Sequence, residues 1–200
     1  MAYIGLAHLV AAPITNDAAV EMPQYGNGFH VVDLIAADIT TEYNNTPLWS
    51  DNMQTESDRS FKSGKITLDQ SDFDMQIKAK LCGGEYTPES TGDSNNPKTY
   101  KSNANDEPPE VGIGYCKTRK KHGKVTYVAK WILRSRFTPP SESGKTKGES
   151  IEWETEKIEG EIYPCIDGVW KEEAEFEKSA DAIQWLNTKA HINPDGGETA

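Results

Sequence analysis

Two alternating apolar runs flank a glycine-containing basic turn, and that arrangement points the chain towards antiparallel β-structure. Val111, Ile113 and Tyr115 recur at every second position. After a basic turn from Arg119 to Lys124 through Gly123, Val125, Tyr127, Ala129, Trp131 and Leu133 do the same. A period of two places alternate side chains on one side of an extended strand. Two such runs about a short turn read as a hairpin.

The same reasoning finds further strands. Phe29 to Tyr43 reads as one strand, whose second half sets Ile35, Ala37 and Ile39 on one face and Asp38, Thr40 and Glu42 on the other. Ile66 and Leu68 mark a short strand. Ile151 and Trp153 share one phase and Ile158 and Ile162 the opposite one, which predicts a bulge or bend near Glu156. A last strand covers Trp170 to Phe176.

Two helices are expected. Ser71 caps the first, with Asp72 and Asp74 in its first turn, an apolar stripe of Phe73, Ile77 and Leu81, and Gly83 at its end. The second starts at Ser179 as cap and buries Ile183 and Leu186. The remaining segments read as connections. Residues 1–28, broken by Pro13, Pro23, Gly26 and Gly28, form an N-terminal arm with one short strand. Residues 44–61 form a polar loop, residues 85–109 a long flexible loop with almost nothing to bury, and residues 191–200 a tail. The sum is a mainly β single domain over 1–200, an antiparallel β-sandwich or barrel with one or two flanking α-helices.

Composition then narrows the function. Against 32 acidic side chains stand 21 basic ones, a formal charge of -11, the wrong sign for general nucleic-acid binding. Cys82, Cys116 and Cys165 are odd in number and widely spaced, so they read as buried free thiols in a reducing compartment. No signal-peptide pattern opens the chain and no apolar run suffices to span a bilayer, so synthesis and retention in a cytoplasm is the expectation. His8, His30, His122 and His191 are scattered without ligand spacing. Gly144-Lys145-Thr146 imitates the end of a phosphate-binding loop, but Pro139 stands where the earlier glycine belongs. No catalytic residue, metal ligand or cofactor site is expected.

Charge patterning offers the remaining candidates. Asp38 and Glu42 share a strand face, and Glu152, Glu154 and Glu156 alternate on another strand; each set is either an ordinary wet face or an acidic wall. Lys117, Arg119, Lys120, Lys121 and Lys124 form a basic hairpin tip, either simply solvated or meeting an acidic surface on a neighbouring copy.

The N-terminal half also carries a likeness. Tyr3-Ile4-Gly5-Leu6-Ala7-His8-Leu9 opens it, and Gly26 to Phe29 lead into Leu34 to Glu42. Pro47-Leu48-Trp49-Ser50-Asp51-Asn52, Glu56 and Phe61 to Leu68 follow. This order resembles the major tail protein family of long-tailed, non-contractile bacteriophages, well over residues 1–84 and beyond that only in general strand layout.

The resemblance implies a tail-tube β-sandwich that forms stacked, hexameric rings and a conduit for DNA ejection. It implies contacts with itself, with the tape-measure protein, and with tail terminator and tail-tip proteins. DNA passes through the lumen without specific binding, the location is the virion tail, and no membrane is involved. On that reading Leu48, Trp49 and Phe61 either make inter-ring contacts or tuck onto their own subunit, while Asp38, Glu42, Glu152, Glu154 and Glu156 face the lumen. Two other functions stay open: a tail-completion or head–tail joining protein that forms a single ring, and a surface module that grips a ligand with the 85–109 loop.

Overall fold

A computed structural model describes residues 2–50, 53–89, 97–140 and 155–192, with backbone alone at 2, 48–50 and 53–58. The described residues are mainly β, antiparallel throughout, with two helices. Its centre is the hairpin of β9 (Glu110–Lys121) and β10 (Lys124–Thr138). Only His122 and Gly123 form the loop, both at positive φ (48° and 82°). That conformation matches the right-handed twist of the flanking strands. The basic turn read from sequence is therefore shorter than expected, and Lys117, Arg119, Lys120 and Lys121 lie in the strand.

On the other side of β9 runs β1 (Ala2–Pro13), which also pairs with β2 (Phe29–Val31). The expected N-terminal arm is thus an interior strand. Leu9, Val10, Ala11 and Ala12 are all buried because both faces of β1 are covered. That burial removes the alternation by which a half-exposed strand is recognised. The strand expected from Phe29 to Tyr43 is also two strands. Asp33 turns the chain at φ 59°, and β3 (Leu34–Tyr43) goes to the far end of the sheet, against β6 (Phe61–Gln70). The register slips between Leu34 and Ala36, which leaves Ile35 exposed (53 %) instead of facing inward with Ala37 and Ile39.

The segment read as a polar loop is a hairpin, β4 (Thr46–Ser50) and β5 (Met53–Asp58), standing apart from the main sheet. The 85–109 segment likewise contains a small ladder, β7 (Glu85–Thr87) with β8 (Thr99–Lys101). Between β6 and β7 lies α1 (Met75–Cys82). Asp74, not Ser71, caps it, accepting from the Gln76 N–H at 2.7 Å. Phe73 is buried just ahead of the helix, and Gly83 ends it at φ 80°.

The last strands in the chain are β11 (Glu156–Ile162) and β12 (Lys171–Phe176), followed by α2 (Ser179–Lys189). Ser179 provides no cap, for α2 begins after Lys178 without a side-chain hydrogen bond. The ladder runs β2-β1-β9-β10-β11-β6-β3, with β12 beside β10. One side of β10 is shared: residues 127–132 hold β12 and residues 135–138 hold β11. A register shift between Ile132 and Ser135 marks the change. The extra residue bends the strand and flips its phase, so Ile132 and Phe137 reach the same core.

That core draws on strands from both ends of the ladder, from Val31 on β2 to Ala37 on β3, with Leu81 of α1. The sheet curls around it, yet the hydrogen-bond ladder stays open. A second core lies on the opposite face of β1, β9 and β10, where Val10, Ala129, Trp131 and Leu133 meet Ala182, Leu186 and Ala190 from the α2 region. Burying each large side chain there stabilises by about 1.5–3 kcal/mol. Trp131 is further held by donating from its indole N–H to the Tyr25 hydroxyl at 3.1 Å, which itself donates to the Leu133 carbonyl at 2.9 Å. Ile158 and Ile162 point inward, in the phase read from sequence; Ile151, Trp153 and the expected bend before them lie outside the described residues. No helix among the described residues is long and apolar enough to cross a membrane.

Candidate assembly surfaces

The outward face of β3, β6 and β11 follows from register. Asp38 lies opposite Thr67, which lies opposite Glu159; Thr40 lies opposite Lys65, which lies opposite Glu161. Alternation that sends Ala37, Ile66, Leu68 and Ile158 inward must send these partners outward. Asp38 and Glu42 therefore share one exposed face, as their spacing indicates. Glu156 does not join them. It pairs with buried Gln70 in the inward phase, at the rim of the core, and its carboxylate meets Lys78 of α1 at 3.3 Å. Glu152 and Glu154 lie outside the described residues.

Glu159 and Glu161 occupy the place expected of Glu156. Their alternation with Ile158, Gly160 and Ile162 was visible in the sequence. What it could not show was their alignment with Asp38 across β6. This face is not a bare acidic wall. Lys62 pairs with Glu42 at 3.3 Å, Lys65 with Glu159 at 2.7 Å and Lys157 with Asp69 at 3.6 Å. Such exposed pairs contribute about 0–1 kcal/mol each, but they neutralise much of the face. A concavity of about 460 Å³ opens here, lined by Thr40, Glu42, Lys65, Glu159, Glu161 and Tyr163 among others. The Tyr163 hydroxyl donates to Glu161 at 2.6 Å, which raises its pKa, with burial adding to the effect.

At the far end of the β9–β10 hairpin the basic residues divide. Arg119 is paired with Glu175 and Lys124 with Glu177, both acids from β12 and its C-terminal end. Lys117 lies over the Tyr115 ring at 5.4 Å. Lys120 and Lys121 are exposed and make no salt bridge among the described residues. Deeper along the same strands, burial alone would raise the Glu173 carboxyl. Hydrogen bonds from Lys171 and Lys130 outweigh burial and hold it below its ordinary range.

Of the three apolar candidates in the 44–61 region, Phe61 packs on its own subunit. Its ring stacks on Trp170 at 5.1 Å and meets Tyr43 edge-on at 6.1 Å. The backbone of Leu48 lies opposite Glu56 and that of Trp49 opposite Gln54; their side chains are outside the described residues.

Within the main sheet, among the described residues, β2, β3 and β12 carry hydrogen-bond partners on one side only. Of these β3 is the longest, at 10 residues. An edge of that length presents a row of unpaired N–H and C=O groups to any strand that approaches.

Titratable groups meet at one further place. His8 and His30 lie edge to face with ring centroids 5.1 Å apart, and His8 Nε2 is 2.7 Å from Asn187 Oδ1 on α2. Burial, then the neighbouring His8, lowers the His30 pKa. Among the described residues no group of three or more His, Cys, Asp or Glu is placed to hold a metal ion. In comparison with known proteins, the chain matches no family model and no curated protein.

Proposed function

We propose that this chain is a self-assembling structural subunit, the tail-tube protein of a long-tailed, non-contractile bacteriophage. It stacks in hexameric rings around a lumen through which DNA leaves. The curled sheet with α2 on its outer face is then the tail-tube version of a β-sandwich. One observation carries this reading: the main sheet ends in a long strand, β3, which among the described residues is paired on one side only. In a ring its other side meets a neighbouring copy, whose backbone satisfies its N–H and C=O groups. The resemblance over residues 1–84 supplies the identity of the assembly, since β1, β3 and β6 all fall within it.

In this reading the face bearing Asp38, Glu42, Glu159 and Glu161 lines the lumen. Its carboxylates repel DNA phosphates within about 8 Å at physiological salt, and its paired lysines temper that field. The tape-measure protein, the tail terminator and the tail-tip proteins are the remaining partners.

Electron microscopy of concentrated, purified protein, combined with sizing in solution, tests the proposal. Hollow tubes with a regular axial repeat support it. Single rings that never stack assign the chain to tail completion or head–tail joining. A monomer that stays solitary at high concentration, and also fails to extend a seeded tail tip, overturns it.

A further inference from the structure

Two exposed regions of this chain carry opposite charge beside exposed apolar side chains. The first lies where β3 begins beside the β6–α1 junction. The Asp33 carbonyl accepts from the Ser71 N–H at 3.1 Å, and Leu34 lies opposite Gln70. Exposed on the segments that meet there are Val32 (53 %), Ile35 (53 %) and Met75 (45 %), with the side chains of Asp33 and Asp72. Neither carboxylate has an ion-pair partner among the described residues. The second patch is the end of the β1–β9–β10 ladder. Ala2 lies opposite Lys120, which lies opposite Val125; Tyr3 lies opposite Arg119. By that register Lys120 and Val125 (40 % exposed) lie on one face of this end and Lys121 and Tyr3 (53 %) on the other, with Ile4 (54 %) also exposed; neither lysine makes a salt bridge among the described residues.

We infer that the acidic apolar patch of one copy receives the basic apolar tip of the next. The occupant is a second copy of this chain because the two regions carry opposite charge and sit on one molecule. A chain of formal charge -11 repels its own copies, so a productive contact must place the free lysines against carboxylates. The two patches differ, so the contact is head to tail and leaves a free patch at each end for further copies. The inference rests on the assembly proposed above and names the residues that orient it.

Charge exchange tests it on the full chain. The tip variant is Lys120→Glu with Lys121→Glu. The patch variant is Asp33→Asn, which tolerates the positive φ, with Asp72→Lys and Met75→Lys. Circular dichroism and thermal melting confirm that each variant is folded. Pelleting and electron microscopy then read assembly. Each variant alone should raise the concentration needed for assembly at least roughly tenfold. All five substitutions in one chain should bring it back towards the parent value. If the parent assembles while folded single-patch variants assemble equally well, or the combined variant stays inactive, the head-to-tail contact is wrong and the tail-tube reading stands. A parent that never assembles removes both.

Discussion

Arg134 and Glu110 form a two-pronged ion pair, with Nε to Oε2 and Nη2 to Oε1 both at 2.7 Å. Both side chains are 16 % exposed. The pair forms because β10 is irregular between Ile132 and Ser135. That extra residue takes Arg134 out of the ladder's register, where Arg136 is the residue opposite Glu110. Arg134 also donates to the Ala18 carbonyl at 3.3 Å and lies over the Tyr163 ring at 5.4 Å. One guanidinium thus ties two loops to the bend on which the curl of the sheet depends.

Glu110→Ala should therefore destabilise the fold by about 2–4 kcal/mol, because it strands a largely buried cation. Arg134→Lys should lose less, about half of that, since a lysine keeps the charge but not the planar fork. Urea denaturation of the two variants beside the parent checks the order.

Gln70 is fully buried, and among the described residues neither its amide oxygen nor its amide nitrogen has a partner. Gln70→Met keeps the length and removes two desolvated polar atoms, so it should stabilise the protein by about 1 kcal/mol. A lower melting temperature for that variant would show that the amide is satisfied in solution.

Gly114 lies beneath Trp131 and Leu186. A Cβ there would sit 2.5 Å from Trp131 Cε3 and 2.7 Å from Leu186 Cδ2. Gly114→Ala should cost about 1–3 kcal/mol by forcing α2 off the sheet. Hydrogen exchange should report earliest loss of protection in α2, and uniform loss across the sheet would contradict this.

Burial pushes the Cys82 thiol from 9.0 up to about 12 and the Cys165 thiol up to about 11, and raises Cys116 in the same direction. Thiol reagents should label the native chain only as fast as it opens. The thiols ionise more readily when unfolded, so their contribution is intact below pH 9.0 and is lost as pH climbs through about 12. Urea midpoints should accordingly fall as pH rises from 9.0 towards about 11. A midpoint that rises over that range would contradict it.

The β4–β5 hairpin is closed at its base, where the Asn44 N–H donates to the Ser60 carbonyl at 2.8 Å. Replacing residues 46–58 with a short glycine turn should leave β3 and β6 paired and the subunit folded. If the hairpin makes inter-ring contacts, the shortened chain fails to form tubes. Tubes of normal length would exclude it from assembly.

Much of this architecture was legible where one face of an element meets water. The alternation in 111–133 announced the central hairpin. Ile158 and Ile162 announced the inward phase of β11, and Gly83 announced the end of α1. The signal failed where both faces are covered, as at Leu9 to Ala12, and where a single irregular residue reset the phase, as at Asp33 and Ile35. The acidic face was half legible: Asp38 and Glu42 emerged from their own strand, and Glu159 and Glu161 did not.

By itself the amino-acid order determined the local periods and the place of the central hairpin, because these depend on neighbours a few positions away. Only the tertiary structure decided which strands meet, that Arg134 finds Glu110, and that Arg119 and Lys124 are paired with Glu175 and Glu177. Those outcomes depend on cross-strand register. Register is set by bulges and by the packing of two cores at once, and neither leaves a period in the sequence.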